Sequence, residues 1–203
     1  MTSMTRRMVI ATLALAPAGC SGLLGGDGPP TALYSLTALG DLPGGPRLNL
    51  EILIDKPSAT DALDTRRIAL RRNQLSFNYY ADSAWTDPAP AMIQALLVES
   101  LQRSGRVKAV SRNTLAIQGD YELRVDVRHF EADYEGNADI PTVRIEFGLI
   151  LVHVADRAVA GTHAVTASVR PGANDVPSVV SAFDRALHDA MRDTLTWTLQ
   201  TAR

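Results

Sequence analysis

The chain predicts an α+β fold: a mixed, largely antiparallel sheet with two main helices, about 87–104 and 177–200, packed on it. Three observations carry this. Apolar residues recur at helical spacing in only those two stretches. Several other segments alternate apolar and polar residues with a period of two. The resulting order is strands, helix, strands, helix, with links short enough for hairpins.

Ala32 to Leu39 reads as a first strand, ended by the turn-forming GDLPGGP run. Leu48, Leu50, Ile52 and Ile54 alternate with Asn49, Glu51 and Asp55. Arg67–Arg72 and Leu75–Tyr80 suit a hairpin around Asn73-Gln74; Asn tolerates positive φ there, whereas Gln is a poor second residue. Asp87-Pro88 has the form of an N-cap followed by proline at the first helical position. Met92, Ile93, Leu96, Leu97 and Leu101 then define the inner face, with Gln94, Glu99, Gln102 and Arg103 outside and Gly105 as the stop. Val107–Val110 is a short strand. Tyr121, Leu123, Val125 and Val127 alternate with Glu122, Arg124, Asp126 and Arg128, which predicts one wet face. Val143–Val154 alternates and then becomes apolar on both sides from Gly148, as a central strand does. Ala158–Val169 is its hairpin partner through Asp156-Arg157. The closing helix aligns Val180, Phe183, Leu187, Met191 and Leu195 against the wet residues Asp184, Arg185, Asp189, Arg192 and Asp193.

The first 19 residues read as an export leader: basic Arg6 and Arg7, an apolar run from Met8 to Ala16, then small Ala18 and Gly19 before Cys20. Cys20 is the only cysteine, so it cannot form an internal disulfide. Its place matches the lipidated cysteine of bacterial lipoproteins, although Pro17 stands where an aliphatic residue is usual. The alternative is an ordinary secretory leader with a cysteine near the cut. Arg6-Arg7 also leaves twin-arginine export open beside the general route. Residues 20–31, rich in Gly and Pro, form a flexible tether, and 32–203 a single domain. Ser21 after the cysteine favours the outer membrane over the inner, with the body facing the periplasm.

Removing residues 1–19 takes two of 20 basic residues and none of 22 acidic ones, leaving a formal charge near −4. That balance gives no footprint for nucleic acid or for polybasic attachment to lipid. His129, His153, His163 and His188 have no metal-ligand spacing, and no Gly-x-Ser-x-Gly elbow or phosphate loop occurs. His129 and His153 are expected to be structural, and His188 to make a surface pair with Asp184. The expectation is a non-enzyme without catalytic residues, metal or cofactor, apart from the lipid on Cys20.

The most individual stretch runs from Asp64 to Pro88. Arg66, Arg67, Arg71 and Arg72 lie beside Phe77, Tyr79, Tyr80 and Trp85, a composition typical of protein interfaces. Arg66, Arg67, Arg71, Arg72 and Tyr80 are the candidate partner contacts. The competing reading puts Trp85 in the core and the arginines on the wet face of a hairpin.

Asp64, Ile68, Arg71, Leu75, Tyr79-Tyr80, Ala84-Trp85, the helix with Leu96 and Ser100-Leu101, Ser104-Gly105-Arg106, and Asp120-Tyr121-x-Leu123-x-x-Asp126-x-Arg128-x-Phe130 follow one another in an order that resembles the ABC-type transport auxiliary lipoprotein family. PqiC-type lipoproteins belong to that family. The likeness runs from Tyr34 through the C-terminal helix near Trp197; the local departure is the insertion Asn137–Pro141. It implies structural roles for Asp64, Ile68, Tyr79, Trp85, Asp126, Arg128 and Phe130. It further implies a lipoprotein that works beside an MCE-domain protein and its ABC permease and ATPase, moving phospholipids or other hydrophobic molecules between membranes, with self-association expected. A periplasmic lipid carrier and an envelope assembly factor are the rival readings.

Overall fold

A computed structural model of the chain describes residues 31–42, 44–112, 119–135 and 138–202. The expected leader, tether and Cys20 anchor, and Asn137 of the insertion, lie outside the described residues.

The strands are β1 (Ala32–Tyr34), β2 (Leu48–Ile54), β3 (Ser58–Ala59), β4 (Arg67–Asn73), β5 (Ser76–Trp85), β6 (Val107–Ser111), β7 (Tyr121–Asp133), β8 (Thr142–His153) and β9 (Val159–Val169). The helices are α1 (Ala89–Ser104) and α2 (Val176–Thr201). All nine strands of the described residues join in one mixed sheet built around β7. One edge of β7 pairs antiparallel with β8 along its whole length, and β8 continues to β9. The other edge pairs parallel with β2, β3 and β4 in succession. The sheet therefore divides: β6 joins β2 on one branch, while β5 and β1 extend β4 on the other.

Both helices cover one face, α2 over β8 and β9, α1 over β2 and β6. Alternation along the strands turns Ile52, Ile54, Leu123, Val125, Val127, Ile145, Phe147, Leu149 and Leu151 toward them, all buried. Trp85, Phe130 and Phe183 meet at the centre with ring centroids 5.1–6.0 Å apart. Tilted and edge-on rings of this kind add to the burial term. Trp85 is a core residue, 1% exposed.

Several elements differ from expectation for identifiable reasons. The first strand stops at Tyr34 instead of Leu39. Beyond it the chain passes between the helices: Leu39 N donates to Ser100 Oγ on α1 (3.0 Å), and Thr37 N to Asp184 Oδ1 on α2 (2.8 Å). Side chains thus take the place of a sheet partner. His188 and Asp184 form the expected pair, Nε2 to Oδ1 at 3.8 Å, and both also hold Thr37, with Nε2 of His188 3.0 Å from its carbonyl.

Asp87 is not the N-cap of α1. Pro88 takes that position with ψ 137°, and no side chain caps the helix. Ala89 N donates instead to Thr65 O (3.2 Å), a tertiary cap that leaves Asp87 3.9 Å from Arg66. Gln94, expected outside, is buried and donates from Nε2 to Ile54 O (2.9 Å), tying α1 to β2. Gly105 ends the helix at φ 61°. α2 begins one residue early, capped by Asp175, whose carboxylate accepts from Ser178 N at 2.8 Å. Its deepest first-turn contact is Val179; Val180 is partly buried. β8 is central but not buried on both sides throughout, since Ile150 is 41% exposed. β3 was invisible to a period-two reading because it has only two residues.

Candidate functional site

The sheet face away from the helices is lined with charge. β7 supplies Glu122, Arg124, Asp126, Arg128, His129, Glu131 and Asp133; β8 supplies Arg144 and Glu146; β4 supplies Arg71. The register with β8 shifts between Val127 and His129. This bulge reverses the parity, so Val127 and Phe130 both face the core while His129 and Glu131 join Asp126 outside.

These charges are paired in separate groups along the face. Arg124 Nε meets Glu122 Oε1 at 2.6 Å, and this bond holds the guanidinium pKa above its usual range. Arg128 reaches Asp126 (3.3 Å) and, across the strands, Glu146 (3.6 Å). Gly148 gives Arg128 its path: a Cβ there would come within 2.7 Å of Nη2. Arg144 pairs with Asp133 at 3.4 Å. Asp126 also accepts from Ser58 Oγ (3.2 Å), fastening the short β3.

Glu131 is the buried member, 1% exposed. Its Oε2 accepts from Phe130 N at 2.7 Å, and its Oε1 lies 2.5 Å from His129 Nδ1 and 3.7 Å from Arg71 Nη1. Arg71 in turn donates from Nη2 to Gln74 O (2.5 Å). Beside this group opens a cleft of about 670 Å³, lined by Arg71, Asn73, Gln74, His129, Asp133, Glu135 and Arg144. Its lining is polar and bears both signs of charge, the chemistry of a surface that recognises a polar partner. Among the described residues no group of three His, Cys, Asp or Glu side chains is arranged to hold a metal ion.

The candidate contacts of the hairpin do not form one patch. Arg71 lies in the cleft. Arg67 stacks over the Tyr79 ring, its Cζ 3.8 Å from the centroid. Arg72 stacks on Tyr134 at 5.2 Å. Arg66 sits near α1 with Asp87. Tyr80 turns inward, its hydroxyl 3.0 Å from that of Tyr134, which donates to Asn174 Oδ1 (2.7 Å). Burial first, and the Tyr134 bond second, push the Tyr80 pKa far up. Asp82, at φ 49°, interrupts β5 and separates the parities of its two halves, so that Tyr80 and Trp85 both face inward.

The remaining motif residues hold the scaffold. Asp64 pairs with Lys56 (3.0 Å), Tyr79 donates to Ala62 O (3.1 Å), and Ile68 and Phe130 are buried. Glu131, Asp133 and Arg144 escaped the sequence reading. The signal available was the broken alternation at Arg128-His129, which places the next acid opposite the core.

The comparisons with known proteins agree with this architecture. A structure from Xanthomonas campestris, of a protein assigned to the DUF330 family, superposes with a TM-score of 0.77 at 31% identity, covering 84% of this chain and 96% of that one. A hypothetical protein from Chlamydia trachomatis shares the fold alone, with a TM-score of 0.52 at 7% identity over 76% of this chain and 98% of that one. An uncharacterised protein of Bradyrhizobium diazoefficiens is 27% identical over 187 residues, 90% of this chain. The chain spans about half the length of that relative, 49%. Residues 34–193 match the family model described as ABC-type transport auxiliary lipoprotein component, and the chain belongs to that family.

Proposed function

We propose that the protein is a periplasm-facing lipoprotein, lipidated on Cys20 and held at the outer membrane, that docks the parts of an MCE-type ABC transport system moving phospholipids or other hydrophobic molecules. The observation that carries this reading is the helix-free sheet face with its two-signed charge series and polar cleft, in a chain whose family serves ABC-type transport. Paired charges on a rigid sheet suit selective docking, because a wrong partner meets like charge or strips a group of its counterion. The sequence contains no Gly-x-x-x-x-Gly-Lys phosphate loop, so the work of transport falls to partner chains. Arg71 is the residue of the cleft to which we assign the main partner contact.

A lipid carrier requires an apolar hollow of acyl length. The space between sheet and helices is instead filled by buried side chains, Trp85, Phe130, Phe147 and Phe183 among them at most 1% exposed.

The test is affinity capture of the tagged, native protein from membranes together with its MCE-domain partner. Arg71→Glu should reduce recovery of that partner about tenfold, as loss of one close interfacial charge pair does. Equal recovery with the variant would remove the docking assignment. A Cys20→Ala chain should leave the membrane fraction, and its retention there at the native level would refute the anchor.

A further inference from the structure

The tip of the β4–β5 hairpin lends Asn73 and Gln74 to the wall of the charged cleft, and beyond them it carries the most exposed large apolar side chain described. Leu75 is 100% exposed and Phe77 36%. Part of the turn's backbone is paired within the turn, while Ser76 Oγ beside it is buried without a partner. Asn73 Oδ1 accepts from both Leu75 N (2.9 Å) and Ser76 N (2.8 Å), and Arg71 closes on Gln74 O. Such a turn can enter a less polar medium without stranding these backbone groups. Backbone ordering at the turn is also partly done beforehand.

Charge at the tip end of the hairpin has one sign, the carboxylate of β5, Asp82, lying toward its other end. Residues 65–81 contain four arginines and no carboxylate. Arg66 and Arg71 are matched by Asp87 and Glu131. Arg67 and Arg72 rest on the rings of Tyr79 and Tyr134, which orient a guanidinium without neutralising it. Arg72 is the nearer of the two to the tip. Glu135, in the cleft behind the turn, tempers this charge, so the apolar tip sets the depth of contact and Arg72 its preference for anions.

Direction supplies the occupant. β1 runs parallel to β5, with Ala32 opposite Ser83. The N-terminal end of β1 therefore points along β5 toward the hairpin tip. Measured along β4, from Arg67 opposite Ala84 to Asn73 opposite Ser76, the two ends of β5 are about 20 Å apart. The segment from Cys20 to Ala32 spans at most roughly 40 Å. A lipid anchor at Cys20 can thus lie level with Leu75, at the same end of the molecule.

From these features we infer that the β4–β5 hairpin is a second membrane contact: Leu75 and Phe77 enter the headgroup region of an anionic phospholipid bilayer, and Arg72 meets its phosphates. The inference rests on the lipid anchor proposed above. Together, tether and tip fix the orientation of the body, with the Asn73–Gln74 wall of the cleft nearest the bilayer.

The experiment uses the full acylated chain carrying Leu75→Trp, reconstituted into vesicles of phosphatidylethanolamine with about a quarter phosphatidylglycerol. Mass measurement of the acyl group is read first and reports on the anchor alone. With the acyl group present, the introduced indole should shift its emission to the blue relative to detergent-free solution and be quenched by lipids brominated on their acyl chains. Adding Arg72→Glu, or replacing the anionic lipid with phosphatidylcholine, should lower the ratio of inserted to exposed tip about fivefold. An acylated chain whose indole stays water-exposed on the vesicles overturns the inference while the anchor stands. Shielding that occurs only after a partner protein is added overturns it as well.

Discussion

Glu131 offers the sharpest test of the charged face, because its burial makes its loss measurable. Replacement by Ala strands the Phe130 N–H, now 2.7 Å from Oε2, inside a central strand. An unsatisfied buried donor costs about 1–3 kcal/mol. The same substitution removes the carboxylate facing Arg71 at 3.7 Å. Breaking a fully buried pair costs about 3–5 kcal/mol, but the Arg71 side chain is 24% exposed and can recruit water. We therefore assign that contact about 1 kcal/mol and expect Glu131→Ala to lose about 3 kcal/mol in all. Glu131→Gln keeps an acceptor for Phe130 N and removes only the charge, so its loss should be near 1 kcal/mol. Urea denaturation followed by tryptophan emission measures both, with an unchanged slope showing that the unfolded state is comparable. The Ala variant should also melt about 6–12 °C lower. A loss for Ala no larger than that for Gln would refute the assignment of Glu131 as an internal acceptor.

Tyr80 predicts an alkaline limit. Its pKa is raised in the fold above the ordinary 10.0, so its contribution is complete below pH 10.0 and is lost as pH climbs beyond it, where the unfolded chain ionises first. Tyr80→Phe should lose about 1 kcal/mol at neutral pH and show a shallower fall in melting temperature above pH 10.0; parallel profiles would exclude Tyr80 as the source. Trp85→Ala opens a hole between Phe130 and Phe183 and should lose about 3–5 kcal/mol by the same urea assay. A loss under about 1 kcal/mol would mean that the aromatic centre collapses to fill it.

What the sequence determined by itself was the set of elements and their inner faces. Tyr121, Leu123, Val125 and Val127 announced both a strand and its wet side, and Phe183, Leu187, Met191 and Leu195 announced the face of α2. These are local properties: a repeat of two or 3.6 residues fixes which side chains share a surface, whatever that surface later meets. The arginines of the hairpin were equally visible, but not their division between the cleft, the Tyr79 and Tyr134 rings and the end of α1. Tertiary structure alone decided that Gln94 would face inward to Ile54 O, that Thr65 O would replace Asp87 as the cap of α1, and that Ser100 and Asp184 would hold the segment after β1. It alone set Glu131 against Arg71, residues 60 positions apart, through the parallel pairing of β4 with β7. The physical reason is one of range. Periodicity acts between neighbours along the chain, whereas a polar group leaving water takes whichever donor or acceptor the packed neighbours bring to it.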